Sequence, residues 1–158
     1  MSADSHAQRP AGAAQRGIWL AHQLDPDGTL YNCGVRLPLA GRVDIPLLRS
    51  AVRQALTEAE TLRSRFVEHD GRPHRLPTDV PDEPLHVVDL RAPGTAAPHA
   101  AADAWIERAL ATPMDLGRGP LAEHTLLRLG DDSHCLFLRY HHIVLDGYGQ
   151  TLHLRRLA

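Results

Sequence analysis

The chain contains no lysine: its 17 basic residues are all arginine. Against 19 acidic residues they leave a formal net charge of -2, which excludes a globally basic nucleic-acid binder. The arginine usage therefore reads as the coding bias of a GC-rich genome rather than as phosphate recognition. Cysteine is almost missing as well. Cys33 and Cys135 are the only two, flanked by apolar strand-like residues and with no CxxC pair, and they are predicted to be buried free thiols. Residues 1–10 lack the apolar core of a signal peptide, and no run approaches the length of a membrane span. The prediction is a cytoplasmic chain with no membrane partner and a flexible leader over residues 1–10. No internal repeat is present.

What the chain does contain is one domain's worth of ordinary globular sequence, 158 residues of which 43% are hydrophobic and 23% charged, enough for a real core over 11–158. Apolar positions at Ala14, Ile18, Trp19, Ala21 and Leu24 predict a short helix ended by Asp25-Pro26-Asp27-Gly28, with Trp19 in the core. Cys33 to Ala40 alternates as a strand. Asp44 is placed to cap the clearest helix, with Leu48, Ala51, Val52, Ala55 and Leu56 on one face. Leu62 to Val67 reads as a strand, Glu68 to Pro84 as a hairpin and loop, and Leu85 to Leu90 as a further strand. Pro93 to Pro98 reads as a linker before a helix over His99 to Ala111, and Leu121 to Leu129 pairs with His134 to Tyr140 as an antiparallel hairpin. The sum is an α/β sandwich with a mixed sheet packed by helices.

The rest of the chain is organised around Tyr140-His141-His142-Ile143-Val144-Leu145-Asp146-Gly147. The preceding apolar run reads as a strand buried on both faces. If it stays extended, His142 projects with Leu136, Leu138 and Tyr140, and His141 with Cys135, Phe137 and Arg139, so the two histidines cannot share one role. Asp146 and Gly147 break the strand, and Asp146 is placed to cap a helix through Leu152, Leu154 and Leu157. His141, His142 and Asp146 have the residue types of a metal site, but neighbours on a strand diverge and no further ligands cluster with them. No metal is expected. The other nine histidines are scattered and read as solvated surface.

His141-His142-xxx-Asp146-Gly147 resembles the HHxxxDG signature of the condensation domains of nonribosomal peptide synthetases, in the chloramphenicol acetyltransferase-like superfamily. Ala14-Gln15-Arg16-Gly17-Ile18-Trp19 resembles that family's AQxxxW-type motif, and Leu24-Asp25-Pro26 with Tyr31-Asn32 the segment after it. Glu60-Thr61-Leu62-Arg63-Ser64-Arg65-Phe66 is similar to the motif ending in LRTRF. Pro113-Met114-Asp115-Leu116-Gly117-Arg118-Gly119-Pro120-Leu121 is similar to PFDLxxGPL. These motifs stand in the family's order over residues 14 to 149. Departures are Gly17 where the family often has arginine, Ala59 where it often has histidine, and Met114 where it has phenylalanine; none falls on the histidine motif.

The resemblance implies a two-lobe fold of which this chain is the N-terminal lobe, the C-terminal lobe being absent. A start at Met1 suggests that the lobe opens its parent polypeptide, which fits a donor delivered by a separate protein or a starter acyl group. It also implies amide bond formation between a carrier-bound acyl or aminoacyl thioester and an aminoacyl acceptor. Such a transfer passes through a tetrahedral adduct, which needs a group acting on the amine and donors for the oxyanion. His142 is assigned to the acceptor amine, as general base or positioning group. Gly147 is expected to let backbone N–H groups approach the oxyanion. His141 is expected to pack behind the loop, and Asp146 to brace it through an arginine, by resemblance Arg63, with Tyr140 as further support. The implied partners are carrier proteins and the second lobe. No cofactor is bound directly, the phosphopantetheine arm arriving on the carrier as part of the substrate. Other readings are an isolated lobe that binds a carrier without chemistry, an ester-forming acyltransferase, and an epimerisation domain. The chain alone is expected to be inactive or nearly so.

Overall fold

A computed structural model describes residues 8–91 and 97–157. Residues 1–7 of the predicted leader and 93–96 of the predicted linker lie outside the described residues, and Pro98 already belongs to a helix.

The centre of the molecule is a four-stranded sheet. Strand β2 (Asn32–Ala40) and strand β6 (Ala122–Arg128) flank strand β7 (Ser133–His141), both antiparallel to it, and strand β5 (His86–Asp89) pairs parallel with β6. The sheet is therefore mixed, as expected. β7 is buried along nearly its whole length because both of its faces are covered. Leu136, Leu138 and Tyr140 face helix α2 (Ile45–Glu58), while Cys135 and Phe137 face helix α3 (Pro98–Leu110).

Local chemistry explains the helices. Asp44 caps α2 by accepting a hydrogen bond from the Leu47 amide at 2.9 Å, Pro46 lies in its first turn, and Val52, Ala55 and Leu56 form the buried stripe. α3 docks through Trp105, which meets Phe137 edge to face at 6.1 Å. Beneath that ring lies Gly34, where a Cβ would stand 2.7 Å from a Phe137 ring carbon. Only glycine permits the approach.

A second sheet of three strands contains strand β1 (Arg9–Pro10), strand β4 (Arg72–Pro77) and strand β3 (Ser64–His69). The β3–β4 hairpin turns through Asp70 and Gly71, both at positive φ (51° and 73°), as an Asp-Gly two-residue loop favours. Two expectations are corrected here. Arg9 and Pro10, assigned to the leader, pair with Arg75 and His74. The strand predicted from Leu62 begins at Ser64, because Glu60–Arg63 forms a 3-10 turn that starts where α2 ends.

Two further helices complete the fold: α1 (Ala13–Leu24), which follows β1 and buries Trp19, and α4 (Gly147–Leu157), which follows the histidine loop. Among the described residues no helix is long and apolar enough to cross a membrane.

Candidate active site

β7 ends at His141, and His142 to Val144 form a turn. The extended alternation assumed for the two histidines therefore stops one residue short of His142. Three long-range backbone and side-chain bonds fix the turn instead. The His141 amide donates to Leu121 O at 2.9 Å, the His142 amide to Tyr31 O at 2.8 Å, and Gln15 Nε2 to Ile143 O at 3.0 Å. Each partner comes from one of the segments that the sequence singled out. A fourth bond, from the Phe66 amide to Leu116 O at 2.7 Å, ties the one remaining segment, Glu60 to Phe66, to the Pro113 to Leu121 segment.

The rings of the two histidines have opposite surroundings. His141 is buried, its Nδ1 accepting from the Ile143 amide at 3.2 Å and its ring meeting His22 edge to face at 5.4 Å. Burial, then the neighbouring His22 and His142, lower its pKa to about 4, so it stays neutral. His142 is exposed and lies on a cleft of about 500 Å³ with Gln15, Ile18, Leu62, Val144 and Leu152. Its Nδ1 is 2.9 Å from Leu145 O. A carbonyl can only accept, so Nδ1 carries a proton, which makes Nε2 the acceptor nitrogen of the neutral ring.

Asp146 caps α4: its Oδ1 accepts from the Gly149 amide at 2.7 Å. The expected Arg63 brace is not formed. The 3-10 turn sends Arg63 to Thr78, where its guanidinium donates to Thr78 O while the Thr78 amide and hydroxyl both donate back to Arg63 O at 2.7 Å. Arg63 lines a separate cleft of about 570 Å³, and no ion pair joins it to Asp146 among the described residues. A Cβ on Gly147 would meet nothing within 4 Å, so space is open beside the first turn of α4. Tyr140 is buried and donates from its hydroxyl to Gln150 Oε1 at 2.6 Å. Burial first, then neighbouring Cys33, pushes its pKa up to about 12, which keeps that donor protonated.

Three further placements differ from expectation or were not foreseen. Cys135 is buried, but Cys33 is only half-buried, because it sits near the end of the edge strand β2; both are free, with burial raising the thiol pKa of each. Four histidines assigned to the solvated surface, His22, His124, His134 and His153, are buried. Gln15 had no assigned role, although its place in the first motif was the signal: its Oε1 accepts from the Gly12 amide while its Nε2 reaches the histidine loop.

An exposed imidazole at a strand end, beside a capped helix N-terminus, is the equipment of a group-transfer site. Known proteins narrow that class. Residues 6–158 match the Condensation domain family. The isonitrile lipopeptide synthase of Streptomyces coeruleorubidus is 40% identical over 156 residues, spanning 98% of this chain and 10% of that protein. The starter condensation domain of rhizomide synthetase superposes with a TM-score of 0.87 at 36% identity, over 96% of this chain and 38% of that one. A mutant of that domain solved in complex with C8-CoA and Leu-SNAC gives 0.88 at 36%, over 96% and 34%. The chain belongs to the condensation-domain family of nonribosomal peptide synthetases and has their chloramphenicol acetyltransferase-like α/β fold. It spans about a tenth of the synthase and under two fifths of the solved domains.

Proposed function

We propose that the chain forms part of an acyltransferase that joins a carrier-bound acyl thioester to the amine of an aminoacyl acceptor, with His142 Nε2 meeting the amine. The observation that carries this is the His142–Leu145 hydrogen bond, which commits Nδ1 as donor and makes Nε2 the acceptor of the neutral ring, on an exposed residue lining the cleft. As the amine attacks the thioester carbonyl, nitrogen acquires positive charge and the carbonyl oxygen negative charge. Nε2 accepts the amine proton or holds its N–H in line, and the thiol of the phosphopantetheine arm leaves. Backbone amides in the open first turn of α4, at Gly147, suit the oxyanion. His141 and Asp146 hold the loop and do not touch substrate.

The donor in this reading is an acyl group of the lipid type. The lipopeptide synthase among the relatives and the starter domain solved with C8-CoA support that choice. The partners are carrier proteins and the second lobe of the domain. In this reading the second lobe completes the His142 cleft and orients the amine, so the chain alone does little or no chemistry.

The test is mass-spectrometric product formation by the domain completed with its second lobe, using an acyl-loaded donor carrier and both amine and alcohol acceptors. Amide from wild type, with a loss of about 10²–10⁴-fold in a folded His142→Ala variant, supports the reading. Near-wild-type activity of that variant removes His142 from the chemistry, and ester in place of amide redirects the function to the related acyltransferases.

A further inference from the structure

Two of the unforeseen buried histidines form a unit. His124 on β6 and His153 on α4 approach to 2.8 Å between their Nε2 atoms, at 1% and 3% exposure. Burial, chiefly, lowers the pKa of both, so the pair is neutral. One ring then donates from Nε2 and the other accepts there, which gives the two rings opposite tautomers. Each Nδ1 is buried with no hydrogen-bond partner among the described residues. Two unpartnered ring nitrogens make this a poor way to fill a core. The position of the pair is more informative than its energy.

His153 lines the His142 cleft, and His124 lines the neighbouring cleft of about 570 Å³. Leu62, also buried, lines both. The hydrogen-bonded pair and the leucine therefore lie where the two spaces adjoin. On the His142 side the wall continues through apolar Ile18, Val144 and Leu152, a lining that suits an aliphatic chain. Beyond the wall the second cleft continues through Leu56, Pro81, Pro84 and Leu121.

We propose that the His124–His153 pair, with Leu62, is the end wall of the space that receives the donor's acyl tail, and so sets the longest aliphatic chain the site accepts. The assignment rests on the acyl-donor reading given above. Removing one ring joins the two clefts and extends the apolar path past the wall. A leucine in place of His153 keeps the wall closed, since it fills similar space without the ring nitrogens.

The test is a one-pot competition between carriers loaded with butanoyl, octanoyl and dodecanoyl groups, with one amine acceptor, using the completed domain. Products are quantified by mass spectrometry for wild type, His153→Ala and His153→Leu. The expected result for His153→Ala is a rise in the dodecanoyl to butanoyl product ratio of about tenfold or more, because each further buried methylene favours binding by about fourfold. His153→Leu keeps the wild-type ratio. An unchanged ratio in a His153→Ala variant that still makes amide overturns the wall, as does an equal shift in His153→Leu. If His153→Ala does not fold, His124→Ala opens the same wall from the other side and is judged by the same ratio. Wild type that makes no amide from any of the three donors sinks the acyl-donor reading, and the proposal with it.

Discussion

Gln15 on α1 and Ile143 in the histidine loop are tied side chain to backbone, Nε2 donating to the carbonyl at 3.0 Å across 128 positions of sequence. The same side chain accepts from the Gly12 amide, so it fixes the start of α1 and the turn carrying His142 at once. Replacing Gln15 by alanine removes about 1 kcal/mol of loop positioning. The expected outcome is a fall of about fivefold in the rate of amide formation by the completed domain, with little change in melting temperature. Glutamate is worse: it cannot donate, and it sets a carboxylate against the Ile143 carbonyl. Single-turnover rates for Gln15→Ala and Gln15→Glu check both statements, and a Glu variant as active as wild type would remove the tie from the mechanism.

Asp146 gives a sharper separation. Its role as cap needs only an oxygen acceptor for the Gly149 amide. Asp146→Asn should keep the stability and most of the activity, while Asp146→Ala loses about 1 kcal/mol of stability and activity with it. Urea titration of both variants beside wild type decides. An asparagine variant as impaired as the alanine one would show that the negative charge matters, and would revive the arginine brace expected from the resemblance.

That brace illustrates where reading residues in order reaches its limit. Local signals were legible: Asp44 as a cap, the apolar stripe of α2, the Asp70-Gly71 turn inside a predicted hairpin, and β7 as a strand covered on both faces. The motif order also located the site, since Tyr31, Leu121 and Gln15 all bond to the histidine turn. The direction of a long side chain was not legible. Whether Arg63 reaches Asp146 or Thr78 depends on a 3-10 turn at the end of α2, and no periodicity announces such a turn. Burial of His124 and His153 was hidden for a related reason. A histidine in a strand or helix pattern carries no sign of its partner, which here lies 29 positions away.

Gly34 carries a packing prediction. A methyl group there would come within 2.7 Å of the Phe137 ring and 3.1 Å of Leu110. The ring is already held edge to face against Trp105, so it cannot move without disturbing α3. Gly34→Ala should destabilise the domain by about 1–3 kcal/mol, the usual range for overpacking. Denaturant unfolding measures it, and a change within 0.5 kcal/mol, roughly the scatter of surface substitutions, would show that α3 yields easily.

The buried histidines predict how stability depends on pH. His141 has a folded pKa near 4 against an ordinary 6.5, chiefly because burial disfavours its charged form, and burial lowers His124 and His153 in the same direction. The unfolded chain therefore binds more protons than the folded one below about 6.5. Their contribution is fully present above that pH and is lost as pH falls, His141's over the interval from 6.5 to about 4. The slope is on the order of 1 kcal/mol per pH unit for each histidine in its window. Unfolding free energies measured between pH 7 and pH 5 should thus fall steeply in wild type. They should fall less steeply in His124→Leu/His153→Leu, where only His141 of the three still contributes. Equal slopes in the two proteins would mean that the pair is already protonated, or solvated, at neutral pH.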